Sequence, residues 1–337
     1  MILLENLDNA LVLASTYALT AVGLTMVYGV LRVLHIAHAS IYTIGAFAAM
    51  LAAQALGDSL WLALAAGMLV SSIVGLLIYR LVYQRMLSAP RIVPLIASIG
   101  LLVLFQDLLQ KDFLMGAFPS PLPLESGLPE VRTSWFKLTS AQLSILAVTA
   151  ILLIGVWLLL TRTRLGLGWQ ATAIDLDMAA SVGVNIDRVV ALNFLVGSAL
   201  AGAAGVLIGM YENSVSATMG EVVAYKPFIV IVLGGLGSVS GTLLASLLLA
   251  FVETLIVAQW GFLLPRVAIA FLVSTTLCNS DFVIVYSLFQ SMRLCSLATD
   301  ATVSRLMECG LKCDQVPRSR SNRDSCMKTA MPSTIHA

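Results

Sequence analysis

The chain has 337 residues and a formal net charge of +1; 11% of its residues are charged and 59% are hydrophobic, giving a mean hydropathy of +0.95. Soluble domains carry about 25% charged residues, so the composition excludes an ordinary soluble protein. The near-neutral balance also gives no reason to expect nucleic acid as a partner.

A short start, Met1–Asp8, carries Glu5 and Asp8 rather than a basic stretch, so no cleavable targeting signal stands out. Runs without Asp, Glu, Lys or Arg then follow at Asn9–Leu31, Val33–Gly57 and Ser59–Tyr79. Further runs cover Leu138–Thr161, Val189–Tyr211 and Pro227–Val252. Each is long enough to span a bilayer, since a crossing helix needs about 20 apolar residues. Ile92–Gln106 is a shorter run that continues through Asp107. None alternates as a barrel strand would. The expected fold is therefore an all-α, polytopic transmembrane bundle of about seven to eight segments.

Basic residues cluster at Arg32, at Arg80, Arg85 and Arg91, and at Arg162, Arg164 and Arg188. Two spans separate each cluster from the next, so all three share one face, cytoplasmic by the positive-inside rule. The start of the chain and the proline-rich loop Lys111–Lys137 then lie outside. Thr139 with Gln142 reads as a capping box for the next span. Two stretches are too irregular for plain helices. Leu31–Tyr42 sets Arg32, His35 and His38 at the edge of an apolar run, and Ile231–Thr242 holds four glycines and two serines. Glycine costs about 1 kcal/mol relative to Ala inside a helix, so such clusters predict breaks, tolerated at membrane depth only when buried or lining a cavity.

Between two spans lies a charged insert, 161–188, that cannot cross. It carries Arg162, Arg164, Asp175 and Asp177. From Gly168 the spacing puts Trp169, Ala173, Leu176 and Ala180 on one helical face, with Gly183 ending the helix and Asp187 capping the next. Small side chains at Ala171, Ala173, Ala179 and Ala180 leave room for another backbone. On spacing alone, a helix that fits a partner's groove and a plain interfacial connector are equal readings.

The segments Thr163–Gly166, Ala171–Ala173 and Ala179–Asn185 resemble the coupling loop of ABC-importer permeases of the branched-chain amino-acid (Liv) type. Three further blocks fit the same family in order: Gly23–His38, Pro94–Gly100 and Lys226–Ser238. The resemblance covers about residues 8–273 and is closest to the LivH-like member. It implies a permease that pairs with a second permease subunit, the same or different, and with two cytoplasmic ATPases that use ATP. An extracytoplasmic binding protein would deliver the cargo, and the setting would be a bacterial-type cytoplasmic (inner) membrane. The Ala171–Asn185 helix would then sit in the ATPase groove, with Arg164, Gly166, Ala171, Ala173, Ala179, Ala180, Gly183 and Asn185 as coupling residues. The expected mechanism is alternating access, driven by the partner's different affinity for two states. Two positions depart from the pattern: Gln170 stands where many members carry a basic residue, and Ala39 where they carry Gly.

Candidates for the translocation path are His35, His38, Ser40, Gln106, Gly234, Gly235, Gly237, Ser238 and Glu253. His35 and His38 lack a third metal ligand and read chiefly as polar residues near the cytoplasmic interface. Glu253 is the lone acid of a long apolar run, functional or merely near the cytoplasmic end of its span. The glycine cluster reads first as a packing device. No bound metal or cofactor is expected. The Walker A pattern is missing, Gly237–Gly241 has Val239 where a nucleophile elbow needs serine, and Cys309 with Cys313 is an incomplete zinc set. An ion-coupled secondary transporter of small polar solutes is the alternative, with only Glu253 and Asp107 to couple ions. Amino acids, amides and urea all remain open as cargo.

Composition changes abruptly near Ser274. Residues 274–337 hold 12 charged residues against 25 in the 273 before them, and all five cysteines lie there. Residues 1–273 are read as the permease domain and 274–337 as a non-family tail from a frameshifted or misjoined end. Ala268–Phe289 contains Asn279 and Asp281 and would make a poor last span.

Overall fold

A computed structural model describes residues 7–86, 90, 92–111, 114, 116, 118–124, 131–132, 137–235 and 237–260. The described residues up to Ala258 form one compact unit. The tail expected from residue 274 onward lies outside the described residues.

Uncharged runs in lipid must satisfy their backbone internally, and helices do so within one segment. The long helices are α1 (Leu7–Leu31), α2 (His38–Leu56), α3 (Leu60–Met86), α4 (Ile92–Leu109) and α5 (Ser140–Arg162). The insert forms α6 (Arg164–Ile174) and α7 (Leu176–Ser181). It leads into α8 (Ile186–Tyr211), α9 (Met219–Gly234) and α10 (Val239–Trp260). Among the described residues six helices are long and apolar enough to cross, seven if the bent pair α9–α10 counts as one span.

The centre is α8, which packs on α1, α2 and α3. Small residues on α8 let backbones approach closely. A Cβ built on Gly45 of α2 would stand 2.4 Å from Gly202 Cα, and one on Gly205 would stand 2.1 Å from the Tyr42 carbonyl oxygen. One on Gly75 of α3 would stand 1.9 Å from Ser198 Oγ. Helices α1, α2 and α8 are largely buried, whereas α3, α4 and α5 turn apolar faces outward. Large exposed residues such as Leu69, Ile96 and Ile154 suit lipid, as they do not suit water.

Both expected breaks are present. Beyond Leu31 the chain turns at Arg32, whose φ is 50°. It then climbs back into the bundle: His38, the first residue of α2, lies against Gly23, where a Cβ would be 3.2 Å from His38 Nε2. Gly23 precedes the end of α1 by eight residues, about 12 Å of helix rise. Helix α2 therefore starts inside the bundle, and His35 and His38 are both buried rather than interfacial. The second break falls at Gly235 and Gly237, both at φ 89°, and bends α9 from α10 by 120°. The capping box is formed, the Thr139 amide donating to Gln142 Oε1 at 3.0 Å. Ser120–Pro121 (β1) pairs antiparallel with Ser214–Val215 (β4), and Val131–Arg132 (β2) with Lys137–Leu138 (β3).

Candidate functional site

The insert is not one helix. Asp175 interrupts it, accepting from the amides of Asp177 at 2.9 Å and Met178 at 3.0 Å, and so caps a separate α7. An aspartate free to cap is a poor helix interior residue for that same reason. The cap of α8 is Asn185, which accepts from the Arg188 amide at 3.1 Å, not Asp187. Asp187 instead accepts from the Tyr79 hydroxyl at 3.2 Å, tying the exit of the insert to α3. The expected single face also divides. Trp169 and Ala179 are buried and Ala173 is half-buried, while Leu176 and Ala180 are exposed.

Trp169 anchors the insert. Its indole N–H donates to the Met26 carbonyl at 3.1 Å, and its ring fills the space beside Gly29. Gly166 lets α6 fold back on α5, since a Cβ there would lie 2.1 Å from the Leu160 carbonyl oxygen. Arg32 clamps the end of α6, donating to the carbonyls of Ala173 at 3.2 Å and Ile174 at 3.0 Å. Gln170 donates to the Leu160 carbonyl at 3.1 Å. Gly183, at φ 87°, reverses the chain without a side-chain penalty. Arg164 and Gly183 are exposed and Ala171 is half-buried. Three large apolar side chains also face outward: Ile174 is 78%, Met178 68% and Val182 77% exposed.

The hairpin α9–α10 holds the second constellation. Lys226 Nζ meets Glu253 Oε1 at 2.7 Å, with side chains only 11% and 12% exposed. The Tyr17 hydroxyl of α1 donates to Glu253 Oε2 at 2.9 Å and also contacts the Lys226 ammonium. Glu253 is thus largely buried within the bundle and partnered there. Toward the bend, the hydroxyls of Thr25 and Thr242 share a hydrogen bond of 3.0 Å. Gly234 and Gly241 touch: a Cβ on the first would stand 2.6 Å from the second's carbonyl carbon. Gly235 and Ser238 are exposed and Gly237 half-buried at the apex.

His35 is hydrogen-bonded through Nδ1 to the Tyr83 hydroxyl at 2.8 Å, and its ring stands edge-on to Phe194, 5.2 Å between centres. Tyr79 and Tyr83, at either end of a π turn in α3, both stack near Phe194. Ser40 donates to the Leu102 carbonyl at 3.2 Å, and Gln106 donates to Glu221 Oε1. Ser40 and Gln106 therefore line one crevice, whereas His35, Glu253 and the glycine apex belong to three other places. Asp107 pairs with Lys111 at 3.3 Å on the surface. Among the described residues no group of three or more His, Cys, Asp or Glu could hold a metal.

The family model described as "Branched-chain amino acid transport system / permease component" matches residues 6–286. This chain belongs to that permease family. It is 36% identical over 260 residues to the high-affinity branched-chain amino acid transport system permease protein BraD of Pseudomonas aeruginosa, covering 74% of this chain and 85% of that protein. It is 33% identical over 262 residues to LivH of Escherichia coli strain K12, covering 75% and 85%. The nucleoside ABC transporter permease protein NupB of Lactococcus lactis is 30% identical over 156 residues, 45% of this chain and 43% of that one. No solved structure matches. The chain is a multi-pass membrane permease component. Its match ends at residue 286, inside the segment set apart by composition, so the unmatched stretch begins at 287 by this measure.

Three residues of this permease were not singled out by sequence reasoning. Lys226 marked the edge of an uncharged run rather than the partner of Glu253. Glu221 and Tyr17 carried no motif. A usable signal existed for the first two: an acid or base inside a span is costly, so each calls for a partner at the same depth.

Proposed function

We propose that this permease is the membrane-spanning half-pathway of an ABC importer for branched-chain or related amino acids. The reading rests on one observation above others: a short insert, anchored by Trp169 and Arg32, presents Ile174, Met178 and Val182 outside the bundle. Apolar side chains at the arginine-bearing face, set off from the lipid-facing helices, suit a protein groove. That groove would belong to a cytoplasmic ATPase, one of two. A second permease subunit and an extracytoplasmic binding protein complete the assembly in an inner membrane. The permease itself carries no ATP site and no cofactor, and ATP is consumed by its partners. The coupling residues are those of the insert, with Gly166 and Asn185 shaping it and Ala171, Ala173, Ala179 and Ala180 setting its width. We also propose that the unmatched C-terminal stretch is not native permease sequence; resequencing the 3′ end of the gene tests this.

Cysteines placed at Ile174, Met178 and Val182 should crosslink to the ATPase subunit in the assembled complex, with a yield that changes when ATP is added. Proteoliposomes holding the full complex should accumulate cargo with ATP and not with an ion gradient. Failure of every crosslink, or uptake driven by an ion gradient alone, would end the importer reading.

A further inference from the structure

The last turns of α3 carry two features that the importer reading does not use. The helix holds a π turn at Tyr79–Tyr83, and Arg80 and Arg85 stand on it and just beyond it. In a continuous α-helix, at 3.6 residues per turn, positions five apart point about 140° away from each other. Here the Gln84 amide donates to the Tyr79 carbonyl, the i→i+5 bond of a wider turn. Five residues then make little more than one turn, so Arg80 and Arg85 come round to the same side of the helix. Both are exposed.

Neither arginine is neutralised. The ion pairs among the described residues are Lys111–Asp107 and Lys226–Glu253. Asp187, the acid at this end of α3, accepts from the Tyr79 hydroxyl instead. An exposed apolar ridge leads up to the arginines: Leu69, Ile73 and Leu77 at four-residue spacing, then Leu81 between the two charges. Helix length fixes their depth. Trp61 is exposed near the start of α3, and Arg80 follows it by 19 residues, about 29 Å of rise. The hydrocarbon core is about 30 Å thick. An interfacial tryptophan at one surface therefore sets Arg80 among the headgroups of the other. The complementary ligand has an anionic head, with oxygens for two guanidinium forks, and an apolar tail. A phosphate suits that pair of forks, since each presents several donors in one plane.

We propose that Arg80 and Arg85 hold the phosphate of an anionic membrane phospholipid whose acyl chains lie along the ridge Leu69–Leu81. The π turn is the device that makes the site, because it brings the second arginine round to join the first. A zwitterionic phospholipid offers the same phosphate but carries its own cation, so it competes weakly for the two guanidinium groups. The site does not depend on what the transporter carries. It goes beyond the general preference of basic residues for one membrane surface, because it names one helix face and one lipid charge type.

The test uses the complete transporter in proteoliposomes. In a chain whose five cysteines are replaced by serine, Leu77→Cys carries a bimane fluorophore, which bromine on lipid acyl chains quenches. Each arginine at an anionic surface is worth about fivefold in affinity. Half-maximal quenching should therefore need at least about tenfold less brominated phosphatidylglycerol than brominated phosphatidylcholine. The same fluorophore at Leu244→Cys, exposed on α10, should show no such preference. Arg80→Gln with Arg85→Gln should bring the two lipids level at Leu77→Cys, and Arg80→Lys with Arg85→Lys should keep part of the difference. Equal quenching by both lipids, an equal preference at Leu244→Cys, or a preference that survives the double glutamine change overturns the site. Loss of the ATPase subunits from the double glutamine variant with the lipid preference intact also overturns it, and assigns the arginines to a protein contact. Should that variant fail to assemble, the comparison of the two fluorophore positions with both arginines in place still decides.

Discussion

Replacing Glu253 by Gln isolates the buried pair. The mutation keeps the side chain's volume but leaves the Lys226 ammonium facing a neutral amide in a setting where its side chain is only 11% exposed. Breaking a buried pair from one side costs about 3–5 kcal/mol, because the remaining charge keeps its desolvation penalty without the attraction that offset it. The Tyr17 hydroxyl also loses a charged acceptor at 2.9 Å, a loss of about 1.5–3 kcal/mol if no replacement forms. The amide oxygen of Gln supplies part of that replacement, so the expected total stays near 3–5 kcal/mol. The double change Lys226→Met with Glu253→Leu removes both charges and both penalties. Exchange of a buried pair for apolar residues is neutral or stabilising by about 1–4 kcal/mol. The assay is reversible unfolding in mixed micelles by added SDS, with wild type, the single variant and the double variant measured side by side. The single variant should be the least stable and the double variant should recover most or all of the loss. A single-variant cost below about 1 kcal/mol is the value typical of solvated surface pairs, and it would refute the claim that the pair is dry.

Three other changes follow from the same geometry. Gly202→Ala should destabilise the bundle by about 1–3 kcal/mol of overpacking, less about 1 kcal/mol gained in helix propensity, since the new methyl meets Ser71 Oγ at 2.3 Å; SDS unfolding reads it. Trp169→Phe should lose only the bond to Met26, about 0.5–1.5 kcal/mol, while Trp169→Ala should cost about 3–5 kcal/mol and release the insert, seen as faster proteolysis at Arg162–Arg188. Replacing the unmatched C-terminal stretch with the end of a family relative should raise membrane insertion and thermal stability; equal yield and transport by both versions would remove the case for an altered end.

Much of the fold was legible because lipid leaves so few options. The uncharged runs marked the helices, and the glycine and histidine stretches marked both breaks. The details that escaped were those fixed by long-range packing. Spacing put Trp169, Ala173, Leu176 and Ala180 on one face because it assumed a continuous helix, whereas the side chain of Asp175 captured two amides and started a new one. Asn185 rather than Asp187 became the cap for the same kind of local reason. His35 and His38 looked interfacial because Arg32 stands beside them; only the re-entry of the linker, with His38 seated against Gly23, carries them inward. The pairing of Lys226 with Glu253 was hidden by the rule that found the helices. That rule stops at charges, so the two ends of the run 227–252 were read as limits. Folding the run near its glycines brings its two ends together.

Gly29 occupies a spot where three segments distant in sequence come together. A methyl on it would press within 2.9 Å of the Trp169 ring, and on its flank a methyl on Gly237 would stop 3.8 Å from its Cα. Insert, first helix and hairpin apex thus adjoin at Gly29, tightly on the tryptophan side and with room for one methyl on the apex side. A side chain at position 29 would wedge the insert away from the first helix before it reached the apex, so the hydrogen atom in its place sets how closely the indole can seat.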